Sequence, residues 1–96
     1  MGNTEFNSAL HSIIASCKVG DYDKANQQVQ SKLYGKLSDK QHSGIESLLD
    51  LICMASKIQK SKKLDDFEKK ELIEDNIEYY EVDFEALDPI LEPATR

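Results

Sequence analysis

The hydrophobic positions of this chain recur at helical spacing, and turn-forming residues divide them into four segments. Between Phe6 and Cys17, for example, apolar residues fall three or four positions apart, as they do along one face of a helix. Gly20 and Gly35 follow the first two segments, at the position where glycine commonly ends a helix. The pattern predicts helices over residues 5–19, 22–34, 39–62 and 66–87, followed by a tail over residues 88–96.

The starts of the third and fourth helices are marked by capping boxes, in which a small polar side chain and a Glu or Gln three residues later protect the first turn. Asp65 begins such a box for the fourth helix. Ser38 and Ser43 each begin one for the third helix, so its start stays open between the two. The third helix is apolar around most of its circumference, which is typical of a central helix that its neighbours cover. Because the connections are short, we expect an all-α fold: a small antiparallel bundle of about four helices with an extended C-terminal tail.

The end of the fourth helix admits two interpretations. Pro89 disfavours helix at the residue before it, so a continuous helix would end near residue 87. Residues 79–84 alternate between apolar and polar side chains, which also suits a short strand, but the sequence offers no second strand to pair with it. We favour the helix, whose core-facing side would carry Phe67, Ile73, Ile77, Tyr80, Phe84 and Leu87.

Length and composition describe one soluble domain covering residues 1–96. The chain has 96 residues, of which 40% are hydrophobic and 31% are charged, and its net charge is −6. This negative charge argues against nucleic acid and anionic membranes as direct partners. No apolar run approaches the ~20 residues of a membrane-spanning helix, and no basic and apolar signal segment opens the chain, so we expect a cytoplasmic protein.

Candidate catalytic and metal-binding residues are few. His11 and His42, the two histidines, stand at metal-ligand spacing from no other ligand residue, and the sequence holds no nucleotide-binding loop or nucleophile motif. Cys17 and Cys53 lie in apolar helical stretches, which favours two reduced core thiols over a disulfide. We therefore expect no enzymatic activity, no cofactor and no metal site.

The acidic residues are concentrated near the C-terminal end of the chain. Residues 1–63 hold nine Lys against six Asp and Glu, a balance of +3. Residues 64–96 hold twelve Asp and Glu against three basic residues, a balance of −9. A basic partner would therefore be attracted to the fourth helix and the tail.

The predicted fourth helix carries a second apolar stripe, offset by about 100° from its core-facing side. Leu72, Tyr79 and Val82 share this stripe, and acidic residues flank it. A bundle of this size can bury one side of a helix, and exposed aromatic residues with a polar rim are typical of protein interfaces. In an alternative interpretation, Ile90 and Leu91 of the tail cover Tyr79 and Val82. The predicted partner-binding residues are Glu71, Leu72, Asp75, Glu78, Tyr79, Val82 and Asp83.

The segment Asp75-Asn-Ile-Glu-Tyr-Tyr-Glu-Val-Asp83 combines adjacent tyrosines with acidic residues. In size, acidity, predicted helical fold and this segment, the chain resembles the small immunity proteins that bacteria make against nuclease toxins. The resemblance implies an inhibitor of a basic protein partner, a nuclease toxin domain, without direct contact to nucleic acid or membrane. The alternative is a small acidic secretion-type chaperone or adaptor that holds a client through an exposed apolar stripe. An acidic mimic of DNA phosphates is a third possibility, against which the tyrosines count.

Overall fold

The fold of the chain is all-α, as the sequence predicts, in a computed structural model that describes residues 1–89. Within these residues the structure has no strand. Residues 90–96 of the predicted tail, with Ile90 and Leu91, lie outside the described residues. A single turn of π-helix, Val29–Leu33, continues the second helix. The α-helices are α1 (Asn3–Lys18), α2 (Tyr22–Gln28), α3 (Asp39–Lys60), α4 (Asp66–Tyr79) and α5 (Phe84–Leu87).

Capping boxes begin α3 and α4. The Ser38 hydroxyl accepts a hydrogen bond from the Gln41 backbone N–H at 3.1 Å, and the Gln41 side chain accepts one from the Ser38 N–H. Ser38 is therefore the start of α3, which settles the choice between the two candidate starts. Asp65 caps α4 in the same way, accepting from the Glu68 N–H at 2.8 Å. Ile45 departs from helical geometry inside α3, about two turns after the cap and next to Gly44, so the helix is kinked there.

The core lies between α1, α2, α3 and α4, each of which contributes buried side chains to it. Helix α3 packs against both α2 and α4, and α1 packs against α2. Burying each large apolar side chain in this core stabilises the fold by about 1.5–3 kcal/mol. The most deeply buried large side chains are Ile13, Ile14, Leu33, Leu48, Leu51 and Ile52.

The two cysteines occupy different environments. Cys17 is buried in α1, which confirms its prediction as a core thiol, and burial raises its pKa to about 12. Cys53 is exposed, so its prediction as a core residue is wrong. The reason is angular: five residues separate Cys53 from buried Leu48, which places it about 140° around α3 on the solvent side. Met54 is exposed on that same open side, so α3 is less completely covered than its composition suggests.

The turn between α1 and α2 is held by a side chain of α3. Gly20 adopts a left-handed conformation with φ of 82°, which glycine tolerates without a Cβ clash. The Gln59 side-chain oxygen accepts hydrogen bonds from the Tyr22 and Asp23 N–H groups at 3.1 and 3.2 Å, and its amide group donates to the Gly20 carbonyl. One carboxamide thus satisfies both sides of the turn and fixes α2 to the C-terminal end of α3.

The predicted fourth helix, residues 66–87, is two helices in the structure, and the alternative strand over 79–84 is also wrong. Helix α4 ends at Tyr79, and Glu81 follows in a left-handed conformation with φ of 53°. The Glu81 N–H donates to the Glu78 carbonyl and the Val82 N–H donates to the Ile77 carbonyl, both at 3.1 Å. This pair of bonds is the Schellman arrangement that closes a helix.

Candidate functional site

One side of α4 points away from the core and carries large apolar side chains. Ile73 and Ile77 face the core, and the partly buried Tyr80 packs against it as well. On the opposite side, Phe67 is 70% exposed and Tyr79 is 78% exposed. At 100° per residue, the positions of Phe67 and Leu72 bound an exposed sector of about 140° on the helix surface. We call this surface the α4 outer face; it comprises Phe67, Glu71, Leu72, Asp75, Glu78 and Tyr79.

Five of the seven predicted partner-binding residues lie together on this face. Glu71, Asp75 and Glu78 are exposed, as are Tyr79 and Leu72, the latter at 38%. They remain a predicted binding site, now with a defined shared surface.

Val82 and Asp83 do not belong to the α4 outer face. Val82 is only 8% exposed and joins the core, so its predicted exposure is wrong. The chain reverses at Glu81, and Val82 therefore leaves the helical register that would have placed it above Tyr79. The Asp83 carboxylate caps α5, accepting from the Glu85 and Ala86 N–H groups at 3.0 and 3.2 Å.

Phe67 is the residue of this surface that the sequence prediction missed. It was expected on the core-facing side of α4, where Ile73 lies. Six residues separate the two side chains, which places them about 120° apart around the helix. The helical spacing of the sequence already contains this angle. The prediction places Phe67 in the core because its side chain is apolar, but α4 packs on α3 through the side that carries Ile73, and Phe67 lies outside that side.

The charges near the end of α4 oppose its helix dipole. No basic residue lies in the last turn of α4, while Asp75, Glu78 and Glu81 surround it. Helix C-termini favour cations, and a misplaced charge costs typically ~0.3–1 kcal/mol. By contrast, the last turn of α3 carries Lys57 and Lys60. Residues that lower the stability of a local element are expected at functional sites, so the acidic C-terminal end of α4 is a candidate for one.

Tyr79 is supported by its neighbour Tyr80. The two ring centroids are 5.1 Å apart with planes at 82°, an edge-to-face arrangement. Such pairs stabilise their geometry by about 0.5–1.5 kcal/mol beyond the area that they bury. Since Tyr80 packs against the core, it fixes the position of an aromatic ring that is itself largely in solvent. A preorganised exposed ring loses little conformational freedom when a partner binds.

The turn after α4 carries backbone strain. Glu81 is the one non-glycine residue with positive φ among residues 1–89, and left-handed backbone costs an L-residue about 1–2 kcal/mol. Beside the turn lies an open groove of about 840 Å³ whose lining includes Lys18, Glu74 and Glu78. Strain of this kind concentrates at functional surfaces, and here it adjoins the acidic residues of the α4 outer face.

Helix α5 is fixed to α1 by charged contacts, and this holds the end of α4 in place. The His11 Nδ1 atom lies 2.7 Å from the Asp88 carboxylate, and the Lys18 Nζ atom lies 3.3 Å from its other oxygen. Lys18 also lies 3.5 Å from Glu85. Partial burial raises the pKa of Asp88, but the hydrogen bonds from His11 and Lys18 outweigh it and lower that pKa below its ordinary value. The hydrogen bond to Asp88 correspondingly raises the pKa of Lys18.

Residues 1–89 form neither a metal centre nor a membrane-spanning helix. In residues 1–89, no three His, Cys, Asp or Glu side chains are grouped so that they could hold a metal ion. No helix in the same range combines the length and apolar content needed to cross a bilayer. The high pKa of Cys17 leaves it protonated and unreactive at neutral pH.

What the α4 outer face offers chemically is an exposed phenol ring beside carboxylates, flanked by the apolar side chains of Phe67 and Leu72. Carboxylates attract cations, and the apolar side chains give a partner surface to bury. The helix segment from Phe67 to Tyr79 extends for about 18 Å, which is long enough to contact several side chains of another protein. No protein-family model, no curated protein and no solved structure matches this chain.

Proposed function

We propose that the chain is a protein-binding inhibitor that neutralises a basic protein partner through the α4 outer face. The observation that carries the proposal is Tyr79: a large ring, 78% exposed, held by Tyr80 and surrounded by acidic residues. Tyrosines at the centre of a polar rim commonly supply most of the binding energy of an interface. The carboxylates add attraction and orientation for a partner of opposite charge.

The apolar residues of the face favour a protein over a small cation as the ligand. Phe67, Leu72 and Tyr79 present apolar surface along the helix, and covering it gains free energy at roughly 25 cal/mol per Å². A protein surface can cover all three side chains at once. A small ion would meet the carboxylates and leave that area in water.

The more specific proposal is an immunity protein against a bacterial nuclease toxin. Enzymes that act on nucleic acids carry Lys and Arg residues that contact phosphates, so their substrate sites are basic. An acidic helix surface is complementary to such a site, or to its surroundings, and would prevent substrate from binding. The resemblance in size, charge and the segment from Asp75 to Asp83 supports this choice.

The test begins with the partner captured from the source cell, purified and recombined with the chain. We expect a 1:1 complex and loss of the partner's nucleic-acid cleavage. Tyr79→Ala should weaken binding about 30-fold, as expected for an interface residue worth about 2 kcal/mol. The matched control is Tyr34→Ala, which removes another exposed tyrosine, 69% accessible, from outside α4.

The charge contribution is tested separately with Asp75→Lys and its control Asp50→Lys, which changes an exposed acid of α3. Asp75→Lys should lower the association rate constant, and the difference should shrink as salt is added. Equal effects of the two substitutions on the association rate constant would contradict the inhibitor proposal. A partner that does not cleave nucleic acid would contradict the immunity-protein proposal.

The chaperone alternative is supported by one observation, the exposed apolar side chains of Phe67 and Leu72. A chaperone would bind several unfolded clients, and because its contacts are apolar their affinity would tolerate salt. Phe67→Ser would then weaken binding more than Asp75→Lys does. An inhibitor of one basic enzyme should show one partner and a strong dependence on salt.

A further inference from the structure

We propose that the α4 outer face selects arginine over lysine side chains, with a guanidinium group stacked on the Tyr79 ring and bonded to the carboxylates of Asp75 and Glu78. This inference rests on the proposed function, because it specifies which cation of a basic protein partner the surface recognises. The juxtaposition that carries it is an exposed, supported aromatic ring next to carboxylates that form no ion pair within residues 1–89.

The Tyr79 ring has a free face for a planar cation. An edge-to-face contact with Tyr80 engages either the edge of the Tyr79 ring or one of its two faces, so at least one face is open to solvent. The 78% exposure of the side chain agrees with this. Cations bind over the faces of aromatic rings because the ring quadrupole is negative there.

The carboxylates next to this ring are available for a ligand. Asp75 lies four residues before Tyr79 and three residues before Glu78, and residues so spaced lie about 5–6 Å apart on a helix surface. Glu78 directly precedes Tyr79 in the sequence and lies about 100° from it around the helix, so Asp75 is the carboxylate that neighbours both. The ion pairs within residues 1–89 involve Asp23, Glu85 and Asp88, and neither Asp75 nor Glu78 takes part. A guanidinium over Tyr79 can therefore bind a carboxylate without displacing a cationic partner from the described part of the chain.

Arginine suits this arrangement better than lysine does. The guanidinium group is flat and weakly hydrated, so it stacks on a ring while its edge donates paired hydrogen bonds to carboxylates. The lysine ammonium is a compact and strongly hydrated charge that gains from the carboxylates but little from the ring. The acidic residues attract both cations, whereas Tyr79 distinguishes between them.

The experiment compares two labelled peptides of equal length and charge, one with arginines interspersed among Gly and Ser and the other with lysines at the same positions. Fluorescence anisotropy gives the Kd of each for the full chain at low and at moderate salt. We expect the arginine peptide to bind about 2- to 5-fold more tightly, the ratio that one exposed cation–π contact supplies. Tyr79→Leu should abolish this ratio while leaving the lysine peptide's Kd nearly unchanged, and Tyr79→Phe should retain it.

Tyr34→Leu serves as the matched control, because it removes an exposed tyrosine outside α4, and thermal melts show that each variant is folded. A wild-type ratio near one, or a ratio that persists in Tyr79→Leu, would overturn the arginine inference. In that case, salt-sensitive binding of both peptides would still leave the proposed function standing. If neither peptide binds in a salt-sensitive way, both the inference and the attraction to a basic partner are overturned.

Discussion

Replacing Glu81 by glycine should stabilise the chain. Glu81 has a φ of 53°, and left-handed backbone costs a residue with a Cβ atom about 1–2 kcal/mol. Glycine adopts this conformation freely but loses more conformational freedom on folding, a cost of about 0.5–1 kcal/mol. The backbone contribution is therefore a net gain of about 0.5–1 kcal/mol. Removing a carboxylate from the C-terminal end of α4 adds up to about 1 kcal/mol.

The two contributions to this gain can be separated by a second substitution. Glu81→Gln removes the charge and keeps the Cβ atom, so it reports the dipole effect alone, and the difference between the two variants is the backbone term. Urea unfolding followed by circular dichroism gives both free energies of unfolding, provided that the dependence on urea concentration is unchanged. A gain of 1 kcal/mol in a domain of this size raises the Tm by about 4–8 °C.

A Glu81→Gly variant no more stable than Glu81→Gln would contradict the strain assigned to Glu81. The left-handed conformation would then carry no energetic cost, and the turn would not lower stability for the sake of function. The Schellman bonds of Glu81 and Val82 involve backbone atoms alone, so all three chains can keep them and the comparison isolates the side chain.

Three further predictions test side chains that stabilise the fold through hydrogen bonds, burial or ion pairs. Gln59→Ala should lower the free energy of unfolding by about 1–3 kcal/mol, because it leaves two half-buried N–H groups and the exposed Gly20 carbonyl of the α1–α2 turn without their side-chain partner. Stability should fall above about pH 9, because burial raises the pKa values of Cys17 and Tyr22 to about 12 from 9.0 and 10.0, so the unfolded chain ionises first. The pKa of Asp88 is lower in the folded chain than in the unfolded chain, so its ionised carboxylate stabilises the fold at pH values above its ordinary pKa, and this stabilisation is lost as the pH falls. Asp88→Asn should therefore destabilise the chain at pH 7 and make the loss of stability at acidic pH smaller.

Each of these predictions has a control in the chain. For Gln59, the exposed Gln27 of α2 offers a matched substitution to Ala, and an equal effect of the two would contradict the role assigned to the turn. Cys17→Ala should move the start of the alkaline loss from about pH 9 toward pH 10, where Tyr22 begins to contribute; an unmoved onset would show that Cys17 is not its source. Asp88→Asn is compared with Asp50→Asn, which removes an exposed carboxylate of α3 that forms no ion pair within residues 1–89 and should leave the stability at pH 7 nearly unchanged.

Helix positions were predictable because their signals are local. Periodic apolar residues and the Ser38 and Asp65 caps act within one or two turns of the chain, so α3 and α4 begin where the sequence indicates. The break after Tyr79 was not predictable, since the left-handed position is occupied by Glu81 rather than by the glycine that normally marks it. The predicted exposure of Val82 is wrong for the same reason, because its position depends on the direction that the chain takes after that turn.

The surface of α4 was predictable in part for a related reason. The spacing of Asp75, Glu78 and Tyr79 places them together on any helix, so their shared face follows from the sequence alone. Which apolar residues remain uncovered depends on how many neighbours the helix has. Phe67 and Cys53 have apolar side chains, yet both face solvent, because a chain of this length supplies too few helices to enclose α3 and α4 completely.

The contact of His11 with Asp88 joins residues that are 77 positions apart. Bringing such distant residues together closes a long loop of chain, which has a large entropic cost. That cost falls once the intervening helices have packed together. The docking of α5 on α1 is therefore expected among the late events of folding, after the local helices and their capping boxes. During synthesis, α1 leaves the ribosome before α2, α3, α4 and α5, so its contact with Asp88 can form only after those helices have been made. The end of α4 is held in place only after that late contact forms, so a chain that ends before α5 should keep helices α1 to α4 and lose the alignment of the turn.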